Sequence, residues 1–214
     1  MAGLFLLALW SKADFDSRAF QSAESNRFEA ALREVGPGAS AAAASATENA
    51  SPPPLGPNSA AHGVLGRIEI PRLRITAIVA DGTDTRTLGH AIGHVTWSAL
   101  PGTPGNCALA GHRDTFLRGL GRVRANDVVR IVTLDSTYTY HVEWSEVVEP
   151  GRVDVLDSTA TRSLTLITCY PFVFVGHAPR RFVVRARQVE TNATTAAIKN
   201  RDGFEPQGLT AGGR

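Results

Sequence analysis

From residue 64 to residue 190 the chain is a succession of short β-type runs with almost nothing helical between them, and this limits the possible folds more than any other feature. Leu65-Gly-Arg-Ile-Glu-Ile70 alternates apolar and polar residues, and a second run over 73–79 follows Pro71. Cys107-Ala-Leu-Ala110 is a short apolar run between Gly105 and Gly111. The runs 127–134 and 137–148 flank Asp135-Ser136, a candidate tight hairpin. Residues 163–168 and 181–189 complete the set. Only short helical pieces fit between these runs, near 83–88 and 114–120, and His94 falls in a loop-like stretch. Many short strands at close spacing bury their apolar faces either in a closed β-barrel or in a sandwich.

The flanks are different. The first ten residues, ending at Trp10, are apolar throughout. As a helix they rise about 15 Å, half a bilayer core. A core helix, a signal peptide and a membrane anchor visible only in part all remain open. No basic residue precedes Lys12, and Trp10-Ser-Lys12 resembles a membrane-interface boundary. We expect a partial anchor over 1–11, followed by a juxtamembrane helix over 12–35, where Phe28, Leu32 and Val35 have helical spacing. Residues 36–63 consist almost wholly of Ala, Gly, Ser, Pro and Asn, too little to offset ordering entropy, and read as a linker. Residues 64–190 are the folded domain, and 191–214, without apolar periodicity, are expected to be a disordered tail.

Composition narrows the chemistry. Lys+Arg 22 against Asp+Glu 20 leaves a net charge of +2, which gives no reason to expect a nucleic-acid partner. Two cysteines cannot build a disulfide scaffold or a four-cysteine zinc site. Three points in the domain carry possible chemistry. Cys169 ends the strand Leu164-Thr-Leu-Ile-Thr-Cys169 and opens a Pro-containing loop, where a thiol can meet a substrate. Alternation puts it on the same face as Thr165 and Ile167, opposite Leu164, Leu166 and Thr168. His112 opens the loop Gly111-His-Arg-Asp114, and a thiol needs such a base or cationic partner to become a thiolate. The third point is the pair Arg180-Arg181, since a guanidinium near a thiol can hold charge developing on a carbonyl oxygen. If Phe182, Val184 and Ala186 face the core, Arg180 shares their parity and Arg181 is free to face a cleft.

Together these segments resemble the sortases. Thr165-Leu-Ile-Thr-Cys169, Ala110-Gly-His112-Arg-Asp and Ala178-Pro-Arg-Arg181-Phe are similar to the motifs around the family's nucleophile, histidine and arginine, in the same order. Cys169-Tyr-Pro-Phe, Val175-Gly-His-Ala-Pro and Leu65-Gly-Arg-Ile-Glu-Ile-Pro71 are most similar to class D. The resemblance implies an eight-stranded β-barrel with short helices. It implies a membrane-anchored cysteine transpeptidase on the outer face of the bacterial cytoplasmic membrane. Such an enzyme cleaves a Leu-Pro-x-Thr-type signal after Thr and passes the acyl group to an amine. The partners implied are secreted proteins bearing the signal and an amine acceptor, a peptidoglycan precursor or a pilin lysine. Catalysis would fall to Cys169, His112 and Arg181, and substrate contact to Thr168 and to Val153, Val155 and Leu156 of the loop after Glu149. A thiol endopeptidase that only hydrolyses, or a barrel that only binds peptide, are the alternatives.

No cofactor or metal is implied, and Asp154 and Asp157 are too sparse to argue for calcium. Cys107, five residues before His112, reads as a packing residue, although a disulfide to Cys169 is open on compartment grounds. His62, His90, His94, His141 and His177 read as structural or solvated. Leu100-Pro-Gly-Thr103 spells a sorting signal, but inside the domain it reads as coincidence.

Overall fold

The computed structural model describes residues 2–35, 63–173 and 176–189. The expected linker, apart from Gly63, and the expected tail lie outside the described residues. The strands are β1 (Val64–Ile70), β2 (Ile75–Asp81), β3 (Ile92–His94), β4 (Asn106–Ala110), β5 (Val128–Val132), β6 (Thr137–Val148), β7 (Ser163–Tyr170) and β8 (Arg180–Gln188). They close into a barrel in the order β1-β2-β3-β4-β7-β8-β6-β5, with β1 and β5 pairing antiparallel at the seam. The choice between barrel and sandwich is thereby made.

Alternation explains the wall. Leu164 and Leu166 of β7 and Phe182, Val184 and Ala186 of β8 point inward, into a core with Ile68, Ile70, Ile92, Leu109 and Ile131. The opposite parity points outward. Ile167 and Val183 are nevertheless covered, because the short 3-10 helix Val153–Leu156 lays Val155 over them beside Val148. Leu117 and Leu120, both fully buried, tie the segment after β4 to the same core.

Two helical elements accompany the barrel. The first, α1 (Ala2–Val35), is continuous. The second, α2 (Thr85–His90), is capped by Asp84, whose carboxylate accepts from the N–H groups of Arg86 and Thr87 at 2.9 and 3.1 Å. The helix expected over 114–120 is instead a run of turns ending in a single 3-10 turn, Leu120–Arg122. Its two leucines, Leu117 and Leu120, are fully buried. Strand β3 had no counterpart in the sequence reading. Its residues Ile-Gly-His are too few to show alternation, and all of them are buried. A Cβ at Gly93 would lie 2.3 Å from the Gly82 carbonyl oxygen, so the backbones meet here only because the residue is glycine.

The helix α1 is not a free stalk. Gln21 clamps it to the barrel, its Oε1 accepting from Ile78 N–H at 2.9 Å and its Nε2 donating to His90 O at 2.7 Å. Phe20 meets the His90 ring edge-on, with centroids 5.5 Å apart. Phe28 is buried under the Arg67 guanidinium, which also pairs with Glu29 and Glu69. Among the described residues, no helix is long and apolar enough to cross a membrane.

The segment Leu100-Pro-Gly-Thr103 is part of the barrel's own structure. Gly102, at φ +80°, donates its N–H to Tyr140 Oη at 3.0 Å, and Thr103 N–H donates to Leu100 O at 3.1 Å.

Candidate active site

Strand order alone brings three expected residues to one place. β7 lies between β4 and β8. Cys169 stands directly opposite Arg181 in the antiparallel β7–β8 pair. On the other side, β4 runs parallel to β7 with its last residue, Ala110, opposite Ile167, so the segment after β4 runs alongside the end of β7. Gly111 N–H donates to Ile167 O at 3.1 Å, and Thr168 Oγ1 donates to Gly111 O at 2.7 Å. His112 therefore leaves β4 beside Cys169, one strand spacing away, or about 4.8 Å between backbones. By backbone position Cys169 thus stands between His112 and Arg181.

The surroundings hold this arrangement. Leu117 N–H donates to His112 O at 3.1 Å, closing the turn that Leu117 and Leu120 anchor. After Cys169 a cis Tyr170–Pro171 bond begins a loop pinned by Tyr170, Phe172 and Phe182, whose ring centroids lie 5.4–6.4 Å apart. Arg113 reaches across from the histidine loop to Gly176 O at 3.2 Å. Arg181 donates to the carbonyls of Ala178 and Arg180 at 3.2 and 3.0 Å, which fixes its guanidinium near the strand end. Arg180 pairs with Glu149 at 3.3 Å on the surface, so the two adjacent arginines have different neighbours.

The other expected contacts are distributed unevenly. Val153 is 65% exposed, whereas Val155 is 7% exposed and part of the outer core cluster. Leu156 packs beside it, partly buried. Thr168 is 2% exposed, and its hydroxyl is spent on the histidine strand. Thr168 and Val155 thus meet other parts of the barrel, while Val153 is the residue open to solvent.

Two residues essential to this geometry went unnoticed in the sequence. Asn106 Nδ2 donates to Val155 O and Asp157 O at 3.2 and 3.1 Å, and its Oδ1 accepts from Thr165 Oγ1 at 2.7 Å. Arg185, 9% exposed, donates to Val155 O at 2.8 Å and lies 5.6 Å from the Trp144 ring centroid. Burial holds its pKa below the usual arginine value. For Asn106 the signal was present, since a polar residue in an otherwise apolar strand must find a partner. His94 is another such case, 1% exposed, with Nδ1 3.0 Å from Asp81 Oδ1 and Nε2 3.1 Å from Ala99 O.

The two thiols are separate. Cys107 faces the core opposite Leu164, five residues from Cys169 along the paired strand and on the other side of the wall. That offset, about 16 Å along the strand, excludes a bridge between them, and both cysteines are free. Burial pushes the Cys107 thiol up to about 12. The sign is clear: below that value Cys107 stays protonated and unreactive. Iodoacetamide at about pH 8 should modify one thiol per native chain, none after Cys169→Ala, and Cys107 only once urea unfolds the barrel. Equal modification of both thiols in the native protein would contradict this placement.

Among the described residues, no group of His, Cys, Asp or Glu side chains could hold a metal ion. Asp154 instead pairs with Arg152 at 2.8 Å.

Comparison with known proteins agrees with the fold and motifs. The Sortase domain family model matches residues 68–189, more than half of the chain. Sortase D of Bacillus subtilis (strain 168) is 31% identical over 125 residues, covering 58% of this chain and 63% of that protein. The chain thus spans less than two thirds of that relative's length. A Clostridium perfringens Sortase D5 transpeptidase structure superposes at TM-score 0.55 with 26% identity, over 59% of this chain and 79% of that one. A lid mutant of sortase A from Corynebacterium diphtheriae gives TM-score 0.60 and 28% identity, over 80% of this chain and 97% of that one. The closed barrel, the order of its three motifs and the family match together establish that this chain belongs to the sortase family.

Proposed function

We propose that this chain is a cysteine transpeptidase, which cleaves a Leu-Pro-x-Thr-type signal after Thr and transfers the acyl group to an amine. The observation that carries the reading is the β4–β7–β8 order, with Cys169 opposite Arg181 and His112 leaving the adjacent parallel strand. In this reading the Cys169 thiolate attacks the threonine carbonyl carbon. Arg181 donates to the oxygen as it gains charge. The C–N bond breaks, and the imidazolium of His112 gives its proton to the leaving amine. A thioester remains. An incoming amine then attacks it, His112 takes the amine's proton, and Cys169 leaves as thiolate.

On the donor side, Val153 and Leu156 would meet the apolar Leu-Pro part of the signal. Val155 and Thr168, being buried, would support it from behind. The partners would be secreted proteins bearing the signal and an amine acceptor, with the N-terminus holding the enzyme to the outer face of the membrane.

The test is incubation of the full chain with a pooled Leu-Pro-x-Thr-(Ala/Gly) peptide library and an amine, read by mass spectrometry. Cleavage after Thr with ligation to the amine is expected. Hydrolysed peptide as the sole product, in excess amine, would refute the transfer step.

The donor side also yields a prediction for Asn106. Asn106→Ala removes the bonds to Val155 O and Asp157 O and strands the Thr165 hydroxyl. A loss of about 1–3 kcal/mol in stability is expected, together with a several-fold rise in KM for donor peptide and little change in kcat. Urea denaturation and steady-state kinetics would check both parts. A fall in kcat at constant KM would place Asn106's effect elsewhere.

A further inference from the structure

A groove of about 1140 Å³ opens between α1 and the histidine loop, lined by His112 but not by Cys169 or Arg181. One wall is α1, through Ser17 and Gln21, and the floor is the turn between β1 and β2. Its charge is one-sided. Arg18 of α1 lines it together with the three barrel arginines Arg74, Arg118 and Arg122, and Asp114 is the one carboxylate among its lining residues. No carboxylate of the described residues pairs with any of these three arginines. With a net charge of only +2 for the whole chain, this concentration is local. Gly119 helps to make the room: a Cβ there would lie 3.3 Å from Arg122 Nη2 and 3.7 Å from Leu73 O.

We propose that this groove binds the amine acceptor and selects one that also carries an anionic group, carboxylate or phosphate. The inference rests on the transpeptidase reading and adds the acceptor's chemistry. In that reading His112 deprotonates the incoming amine, so the second substrate must approach the imidazole. The donor wall formed by Val153–Leu156 packs on the outer face of β7 and β8, leaving the α1 side of His112 for the acceptor. Guanidinium groups pair with carboxylates and phosphates through paired N–H donors, and unpartnered ones in a concave site favour an anion. The Gln21 clamp makes α1 a fixed wall of this site.

The experiment compares matched amines as acceptors for the full chain. These are glycylglycine against glycylglycinamide for carboxylate, and phosphoethanolamine against ethanolamine for phosphate. A lower KM for the charged member of a pair is expected, with the advantage shrinking in high salt, and the pair with the larger advantage identifies the anion. Each exposed guanidinium is worth about two- to threefold. The Arg74→Ala/Arg118→Ala/Arg122→Ala variant should therefore raise KM for the charged amine about tenfold, with glycylglycinamide shifted less than about twofold. Equal KM values for charged and neutral amines, or equal shifts of both in the variant, would overturn the proposal. If donor peptide is hydrolysed without any ligation, the transpeptidase reading fails instead. Calorimetric titration of the same amines into the Cys169→Ala chain, with and without the arginines, then decides the groove. Arginine-dependent binding of the charged amine upholds it, and arginine-independent or absent binding rejects it.

Discussion

Cys169→Ala is expected to lower donor-peptide cleavage by roughly 10³-fold or more and to leave no acyl adduct in the mass spectrum. The covalent route needs a nucleophile at this strand end, and the other cysteine cannot supply one. Cys107 lies inside the barrel on the far side of the wall, and its thiol is held protonated by burial. The loss should be chemical rather than structural. Cys169 is only half-buried and makes no core contact comparable with its inward neighbours, so the thermal midpoint should move by no more than a few degrees. Turnover by the alanine variant near the wild-type rate would show that the barrel works through another group.

Arg181→Ala should be the next most damaging change, lowering kcat by about 10²–10³-fold. In the proposed reaction its guanidinium donates to the oxyanion, and its register opposite Cys169 supports that role. The adjacent arginine is the control. Arg180 belongs to the other face of the strand and pairs with Glu149 in solvent, so Arg180→Ala should leave kcat within about twofold. Arg181→Lys keeps the charge but loses the planar set of donors, and should recover only part of the rate. A larger defect in Arg180→Ala than in Arg181→Ala would reverse the assignment.

The distinction between these two arginines was readable in the sequence because strand alternation is a strict rule. Phe182, Val184 and Ala186 settle the inward parity of β8, and everything else on that strand follows. The same rule separated Leu164 and Leu166 from Ile167 and Cys169. Features that depend on contact between distant segments were less legible. Nothing in Ile92-Gly-His94 shows a period, so β3 emerges only where β2 and β4 pair with it. Phe20 and Phe28 look like residues of a solvated helix until Ile78 and Arg67 supply their other half. Thr168 carries the family motif, but its buried bond to Gly111 O is visible only once β4 and β7 lie parallel. Val155 and Val153 differ by two positions and look equivalent in sequence. The 3-10 turn that turns one inward and the other outward is set by Asn106 and Arg185, from strands far along the chain.

The closed wall also governs how a peptide can be recognised. Enzymes built on open sheets can seat an extended substrate as one more strand, drawing affinity from its main chain whatever its side chains. Around the proposed site that route is already taken, since β7 lies between β4 and β8 and β8 between β7 and β6. β1 and β5 seal the seam, and the flank of β4 beyond β3 is occupied by Val95 and Ala99, whose N–H groups donate to Ala108 O and Asn106 O. In the transpeptidase reading a bound peptide would therefore lie across these strand ends and be read by what its side chains fill. On that reading discrimination falls to loop residues, and exchanging the segment between β6 and β7 should alter which peptide is chosen while β4, β7 and β8 stay intact.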